Sequence, residues 1–410
     1  MHAADVNPIE PSAQTQSAAD LFLIFVGANV VATTFQVGAS LSPSFAIRDA
    51  LILITIGSVV GAALVAALAP VGSRLRVPSI IAVRPALGTS GAAIVAVVLY
   101  VTNFAWIAVN NVIAASACAR AAGGGSPTLW AVALGLLATV VVWRGPRAVA
   151  RADRVAVPLM LAVAALLTVA CLRAPAAAKT ANAAAAAPLS WWRGLDIVVG
   201  YQVSWILMFA DYSRYTRAAG AATTAVFTAL ALTSIWMMPL GALAATAAAS
   251  SDPGTMLAAV GLGASGALLL TVATLTTNFV NIYMSSLAWK SLAPGTSDAS
   301  VIWTVGLIGT VASAVPGVWL EQYTNFMVLM GALLLPVGGI LIAHYYLRPR
   351  PPLDDLVRDI YEPFGPFTGF SIAGLAAWIA GSAAYFASET IGGTLPALGI
   401  SVAVYVMLRR

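Results

Sequence analysis

The chain has 410 residues, 60% of them hydrophobic and only 9% charged, with a mean hydropathy of +0.91. So little charge cannot cover a water-facing globule, which excludes a soluble domain and indicates an integral membrane protein. The net charge of +5 needs no nucleic-acid partner, because helical membrane proteins gain such an excess from their orientation and no basic cluster interleaved with aromatics occurs.

Residues 1–19 carry Asp5 and Glu10 but no Lys or Arg, so the basic start of a cleavable signal peptide is missing. The N-terminus is expected to be retained and cytoplasmic. Apolar runs then predict twelve helical spans, near 21–43, 51–70, 90–118, 128–143, 155–172, 194–211, 221–249, 258–288, 301–319, 324–347, 366–386 and 391–408. With the N-terminus inside, Arg48, Arg120, Arg173, Lys179 and Arg193 fall outside and the other fifteen of the twenty basic residues fall inside. A missed span would invert every later loop and spoil that asymmetry, so twelve spans with both ends cytoplasmic is the expected topology.

The segment 77–87, apolar but short and broken by Pro78 and Pro85, reads as interfacial. The Ala-rich loop between Arg173 and Arg193 is external and low in complexity. Pro349, Pro351 and Pro352 stiffen a linker over 348–365. The chain divides into an N-terminal tail (1–20), a ten-span core (21–347), that linker, and a final pair of spans with its tail (366–410). Cys118 and Cys171 lie in or at the ends of apolar runs without metal-ligand spacing, and His2 and His344 stand alone in the sequence, so no cofactor is expected.

Polar residues intrude in four spans. The first holds Gly27-Ala-Asn-Val30 and Thr33-Thr34; the third holds Asn103, Trp106, Asn110 and Asn111, with Trp106 and Asn110 on one helix face. The sixth holds Gly200-Tyr201-Gln202-Val-Ser204-Trp205 mid-span, where Gly200 offers the permissive backbone of a broken helix. The eighth holds Thr276-Thr277-Asn-Phe-Val-Asn281-Ile-Tyr283, the densest cluster. Spans one and three are thus echoed five spans later, the pattern of two inverted five-helix units around a midplane site.

No carboxylate lies mid-span; Asp196 and Asp211 mark the two ends of span six. The hydroxyls of Thr276 and Thr277, with carbonyls freed between Gly27 and Val30, suit a small hard cation such as sodium. Two indoles, Trp106 and Trp205, with amides beside them suit a flat, neutral, hydrogen-bonding heterocycle. Taken singly, the threonines would bond back to their own helix and the tryptophans would pack. Their concentration in four symmetry-related spans argues for a site.

Asp211-Tyr-Ser-Arg-Tyr215, Trp106-Ile-Ala-Val-Asn110 and Thr276-Thr-Asn-Phe-Val-Asn-Ile-Tyr283 resemble the nucleobase:cation symporter family of cytosine, hydantoin, allantoin and hydroxymethylpyrimidine permeases. The resemblance implies the leucine-transporter type of 5+5 inverted repeat plus two C-terminal helices, in an all-α integral membrane protein of the inner (plasma) membrane. It implies a ring held by Trp106, Asn110, Tyr201, Gln202, Ser204, Trp205 and Asn281, and sodium held by Gly27, Val30, Thr276 and Thr277. Gln202 stands where the family's span-six aromatic is usual, and Ser204-Trp205 is similar to the hydroxymethylpyrimidine variant. Cytosine, another pyrimidine, a purine and related rings all stay open as substrates.

The expected activity is cation-coupled import, with proton coupling the alternative to sodium. A membrane-embedded enzyme would call for paired carboxylates or histidine clusters at membrane depth. A passive channel would call for polar residues along its whole length rather than one central knot.

Overall fold

The computed structural model describes residues 6–42, 44–173, 189–347 and 352–409. The Ala-rich stretch with Lys179, and Pro349 and Pro351, lie outside the described residues. Ile47–Leu75, Arg84–Ala121, Arg154–Arg173 within the helix Pro146–Arg173, Ala219–Ala248, Gly263–Leu292 and Tyr323–Tyr346 are each long and apolar enough to cross a membrane. They form spans two, three, five, seven, eight and ten. Ala18–Asn29 and Ala32–Leu41, bent by 55° at a short break, together make span one.

Spans four, nine, eleven and twelve are the shorter apolar helices Pro127–Trp143, Asp298–Ala312, Ile372–Ala387 and Thr394–Leu408. At about 1.5 Å per residue these reach roughly 22–26 Å, a little short of a hydrocarbon core of about 30 Å, and rely on their flanking turns. Span six is the helix Trp191–Val203 followed by 3-10 turns at Ile206–Met208 and Ser213–Tyr215. The even number of spans places both described chain ends on one face, termed the near face.

The packing repeats under a shift of five. Span one packs on seven as six packs on two, and three packs on nine as eight packs on four; two on seven, three on eight and four on nine are their own images. Internal prolines follow the same rule, Pro70 and Pro239 in spans two and seven, Pro158 and Pro336 in five and ten. Spans one and seven approach backbone to backbone: a Cβ at Gly38 would strike the Met238 backbone, and one at Gly241 the Phe35 backbone. Without a hydrophobic drive between helices in lipid, such small-residue contacts hold spans together.

Three local expectations change. The helix of span six runs through Gly200 and breaks at Ser204–Trp205; Gly200 instead lies against the backbone of Met327 in span ten. The segment 77–87 is largely buried, with a short helix Ser79–Ala82, and joins span three across a kink at Gly88 (φ +79°). There the backbone of Leu87–Ser90 pairs with Phe367–Ser371 ahead of span eleven: Thr89 N–H donates to Phe367 O, Ser90 N–H to Gly369 O and Ser371 N–H to Leu87 O. The linker is more than a stiff spacer, since Leu353–Tyr361 is an amphipathic helix that buries Leu356 and Ile360.

Candidate functional site

The two breaks face one another at the centre of the fold. In span one the helix ends at Asn29, Val30 leaves helical geometry and Val31 is extended (φ −135°, ψ 167°). Span seven holds both breaks in place. Asn29 Nδ2 donates to Thr233 Oγ1 (2.7 Å) and Ser234 Oγ (2.8 Å), and Gln202 Nε2 donates to the same Ser234 Oγ (2.9 Å). Thr34 Oγ1 lies 2.5 Å from the Tyr201 hydroxyl, linking the breaks directly.

A central cavity lies between them, bordered by Thr33, Leu99, Thr102, Asn103, Trp106, Tyr201, Ser204, Trp205, Met208, Thr277, Asn281, Met284 and Leu334. Among the described residues no charged side chain borders it. Trp106 meets Tyr201 edge to face at 6.0 Å and Phe326 of span ten at 4.9 Å. The walls close to a free volume of about 20 Å³, room for about one water.

Of the residues expected to hold a ring, Trp106, Tyr201, Ser204, Trp205 and Asn281 border this cavity. Asn110 and Gln202 do not: Asn110 Nδ2 folds back onto Trp106 O (2.8 Å), and the Gln202 amide is turned to Ser234. Asn103, one turn before Trp106, borders the cavity in their place. Its Nδ2 and that of Asn281 are buried without a hydrogen bond, and Trp205 Nε1 has no well-formed one. Such groups are costly to bury unmet, so they mark where a polar ligand would dock. The i−3 spacing from Trp106 was the available sequence signal for Asn103.

Thr276 and Thr277 are adjacent but face different spaces. Thr277 borders the central cavity; Thr276 borders a second, wider cavity of about 630 Å³. Both hydroxyls donate to Ala273 O, at 3.0 and 2.7 Å. That back-bond uses each hydroxyl's proton and leaves its oxygen lone pairs available to a cation. Gly27 borders the same second cavity as Thr276, whereas Val30 is buried at the break and borders neither. No cluster of three His, Cys, Asp or Glu occurs among the described residues, and the oxygens that Thr276 and Gly27 offer are hydroxyl and carbonyl, with the carboxylates of Asp20 and Asp211 on the same cavity.

The second cavity opens toward the near face, past Tyr212, Tyr215 and Tyr283 and the N-terminal segment that contributes Thr15, Gln16 and Asp20. Asp211 borders it too, buried, with Oδ1 accepting the Ser79 N–H (3.0 Å), while Arg214 lies over the Tyr215 ring. Gln14 ties the N-terminal segment down, its Nε2 donating to Ser73 O (2.8 Å) and Arg214 O (3.0 Å).

A family model described as permease for cytosine/purines, uracil, thiamine, allantoin matches residues 8–407. The cytosine permease of Escherichia coli (strain K12) is 26% identical over 342 residues, covering 83% of this chain and 80% of that protein. In fold the chain is similar to Mhp1, a nucleobase-cation-symport-1 family transporter. The TM-score is 0.80 against its closed conformation with bromovinylhydantoin bound, at 17% identity over 99% of this chain and 94% of that one. It is 0.79 against inward-facing Mhp1, at 18% identity over 98% and 94%. A Na+-coupled sialic acid symporter shares the fold more loosely, with a TM-score of 0.64 at 12% identity over 97% and 90%. With twelve spans in an inverted repeat, a polar cavity between two broken helices and a family match along nearly its whole length, this chain belongs to the nucleobase:cation symporter family of membrane transporters and is not an enzyme.

Proposed function

We propose that the protein is a sodium-coupled importer of a flat, neutral nitrogen heterocycle that works by alternating access in the plasma membrane, with the near face cytoplasmic. The observation that carries this reading is the central cavity, where two indoles and two carboxamides with unpartnered amide nitrogens meet and, among the described residues, no charged side chain intrudes. Indole faces stack on any flat ring, and carboxamides hydrogen-bond to ring N–H and C=O groups without demanding a charge. The narrow free volume requires the walls to part around a bound ring. Mhp1 with bromovinylhydantoin, and the cytosine permease, make a ring-sized cargo the natural expectation.

The sodium site of this reading lies at the partition between the two cavities; Thr277 on the central cavity and Thr276 with Gly27 on the near-face cavity support it, with carbonyls near Gly27 and Val30 as the further donors. The wide near-face opening supports assignment of this conformation to the inward-facing half of the cycle. Proton coupling is the second reading, and Asp211, buried on the near-face cavity, is the group that would carry it.

The test is a binding titration on purified protein with cytosine, uracil, hydantoin, hypoxanthine and hydroxymethylpyrimidine, at several sodium concentrations and two pH values. The expected result is one tight ring whose affinity rises with sodium and is indifferent to pH. Affinity that follows pH and ignores sodium transfers the coupling to a proton, and binding of none of these rings removes the ring-transport reading.

A further inference from the structure

The family site lies in the ten-span core, yet a buried carboxylate joins that core to the last two spans. Asp196 sits on Trp191–Val203, the helix of span six that leads to Tyr201, Ser204 and Trp205, and is 2% exposed. Both its oxygens are taken up by the start of span twelve. Oδ2 accepts the Gly393 N–H (2.8 Å), and Oδ1 accepts the Thr394 N–H (3.0 Å) and the Thr394 hydroxyl (2.8 Å). A buried carboxylate is tolerated only when its charge is met. Here it is met by a helix N-terminus, where free amides and the helix dipole both favour an anion.

The approach is built for. Gly393 has no Cβ to collide with the Tyr385 ring, and Gly392 takes a left-handed turn (φ +87°) against Trp192. Span twelve is itself anchored at its other end, where Arg409 donates to Pro85 O and Ala86 O at the start of span three. Span eleven is fixed to span ten by Trp378 Nε1 donating to Leu333 O and Ser382 Oγ to Ala332 O. The final pair therefore braces spans three and ten, and Asp196 extends that brace to span six.

We propose that Asp196 is a positioning residue for the ring site: by capping span twelve it fixes the far half of span six, so that the break at Ser204–Trp205 acts as the hinge between an anchored half and a moving half. The inference rests on the ring-binding reading of the central cavity. It also gives the last two spans a role, as the fixed support against which one of the two broken helices is held.

The experiment compares wild type, Asp196→Asn and Asp196→Ala as full-length protein, using the tightest ring of the panel above and sodium alone as probes. Measurements are confined to the monodisperse, folded fraction. Asp196→Ala is expected to weaken ring binding at least tenfold and Asp196→Asn less, since it keeps one acceptor. Sodium affinity without the ring should fall far less than ring affinity, because Thr276 and Gly27 lie on other spans and feel span six at a remove, through the Thr34–Tyr201 and Ser234 links. A purely structural role would lower the yield and thermal midpoint while leaving ring affinity in the folded fraction unchanged, and that result overturns the proposal. If Asp196→Ala does not fold, Asp196→Cys with Thr394→Cys, in a Cys118→Ala, Cys171→Ala background, replaces it. Bridging that pair with a short bifunctional reagent should restore ring uptake relative to the unbridged pair, whereas uptake no better bridged than unbridged overturns the proposal. Failure of wild type to bind any ring rejects the ring-binding reading of the central cavity, an outcome distinct from either of these.

Discussion

Thr277→Val is the sharpest perturbation of the coupling argument. The substitution keeps the β-branched shape and removes the hydroxyl. Its bond to Ala273 O, 2.7 Å and within one helix turn, is of the back-bonding type that contributes little to a helix, and Ala273 O still accepts from Thr276 at 3.0 Å. Fold stability should therefore change by less than about 1 kcal/mol. On the proposed reading the cation loses an oxygen ligand, and a charge-assisted contact is worth about 1.5–3 kcal/mol, so sodium should bind on the order of ten- to a hundredfold more weakly. Linkage is reciprocal: whatever factor sodium adds to ring affinity, the ring adds to sodium affinity. Ring affinity in the variant should thus fall toward the sodium-free wild-type value, and its sodium dependence should shift about ten- to a hundredfold higher in sodium. The assay is a ring titration at stepped sodium concentrations, with the thermal midpoint as a control for folding. A variant with wild-type sodium dependence would refute the placement of the cation at Thr277.

Trp106→Ala should weaken ring binding by roughly 1–3 kcal/mol, tenfold to a hundredfold, with Trp106→Phe intermediate; equal affinity in all three, measured by equilibrium binding, would make Trp106 a packing residue against Tyr201 and Phe326. Ser234→Ala removes the oxygen shared by Asn29 and Gln202, and because Gln202 keeps only a long contact to Leu230 O (3.5 Å), one buried amide is stranded at a cost of about 1–3 kcal/mol. A thermal-inactivation midpoint unchanged from wild type would show that the breaks do not depend on this link. Ala122→Cys, in the exposed turn after span three, should be labelled in intact cells by an impermeant thiol reagent, and Ala218→Cys, exposed on the near face, should not; the reverse pattern would invert the proposed orientation.

Much of this architecture was legible because membrane insertion imposes simple rules. Apolar length located all twelve spans, and polar intrusions at Gly27–Thr34 and Gly200–Trp205 located both broken ones. What stayed hidden depends on contacts distant in sequence. Gly200 looked like the break, but its small size serves the Met327 backbone in span ten, and the helix yields at Ser204 instead. Gln202 has the chemistry of a ring ligand, yet Ser234 takes its amide; Asn110 shares a face with Trp106, yet bonds to its own helix. Asn103, on that same face one turn earlier, is the carboxamide left for the cavity. A sequence shows which polar groups lie at membrane depth, but their partners are decided by neighbouring spans.

The placement of Thr276 and Thr277 bears on why ring and cation would be coupled at all. Successive helical residues point about 100° apart, so a single turn of span eight can face two spaces at once. Here it does: Thr277 and Asn281 border the central cavity while Thr276 and Tyr283 border the near-face one. On the proposed reading, a cation at the threonines would sit in the wall of the ring cavity, drawing span eight toward the break in span one. That break is joined through Thr34 and Tyr201, and again through Ser234, to the break in span six that carries Trp205. Filling the cation site would therefore bias the position of Trp205 without a direct contact to the ring. The coupling needed is modest, since an affinity change of five- to a hundredfold corresponds to about 1–3 kcal/mol. That is the scale of one or two buried hydrogen bonds, and the Asn29–Ser234–Gln202 link supplies interactions of that size between the two broken helices.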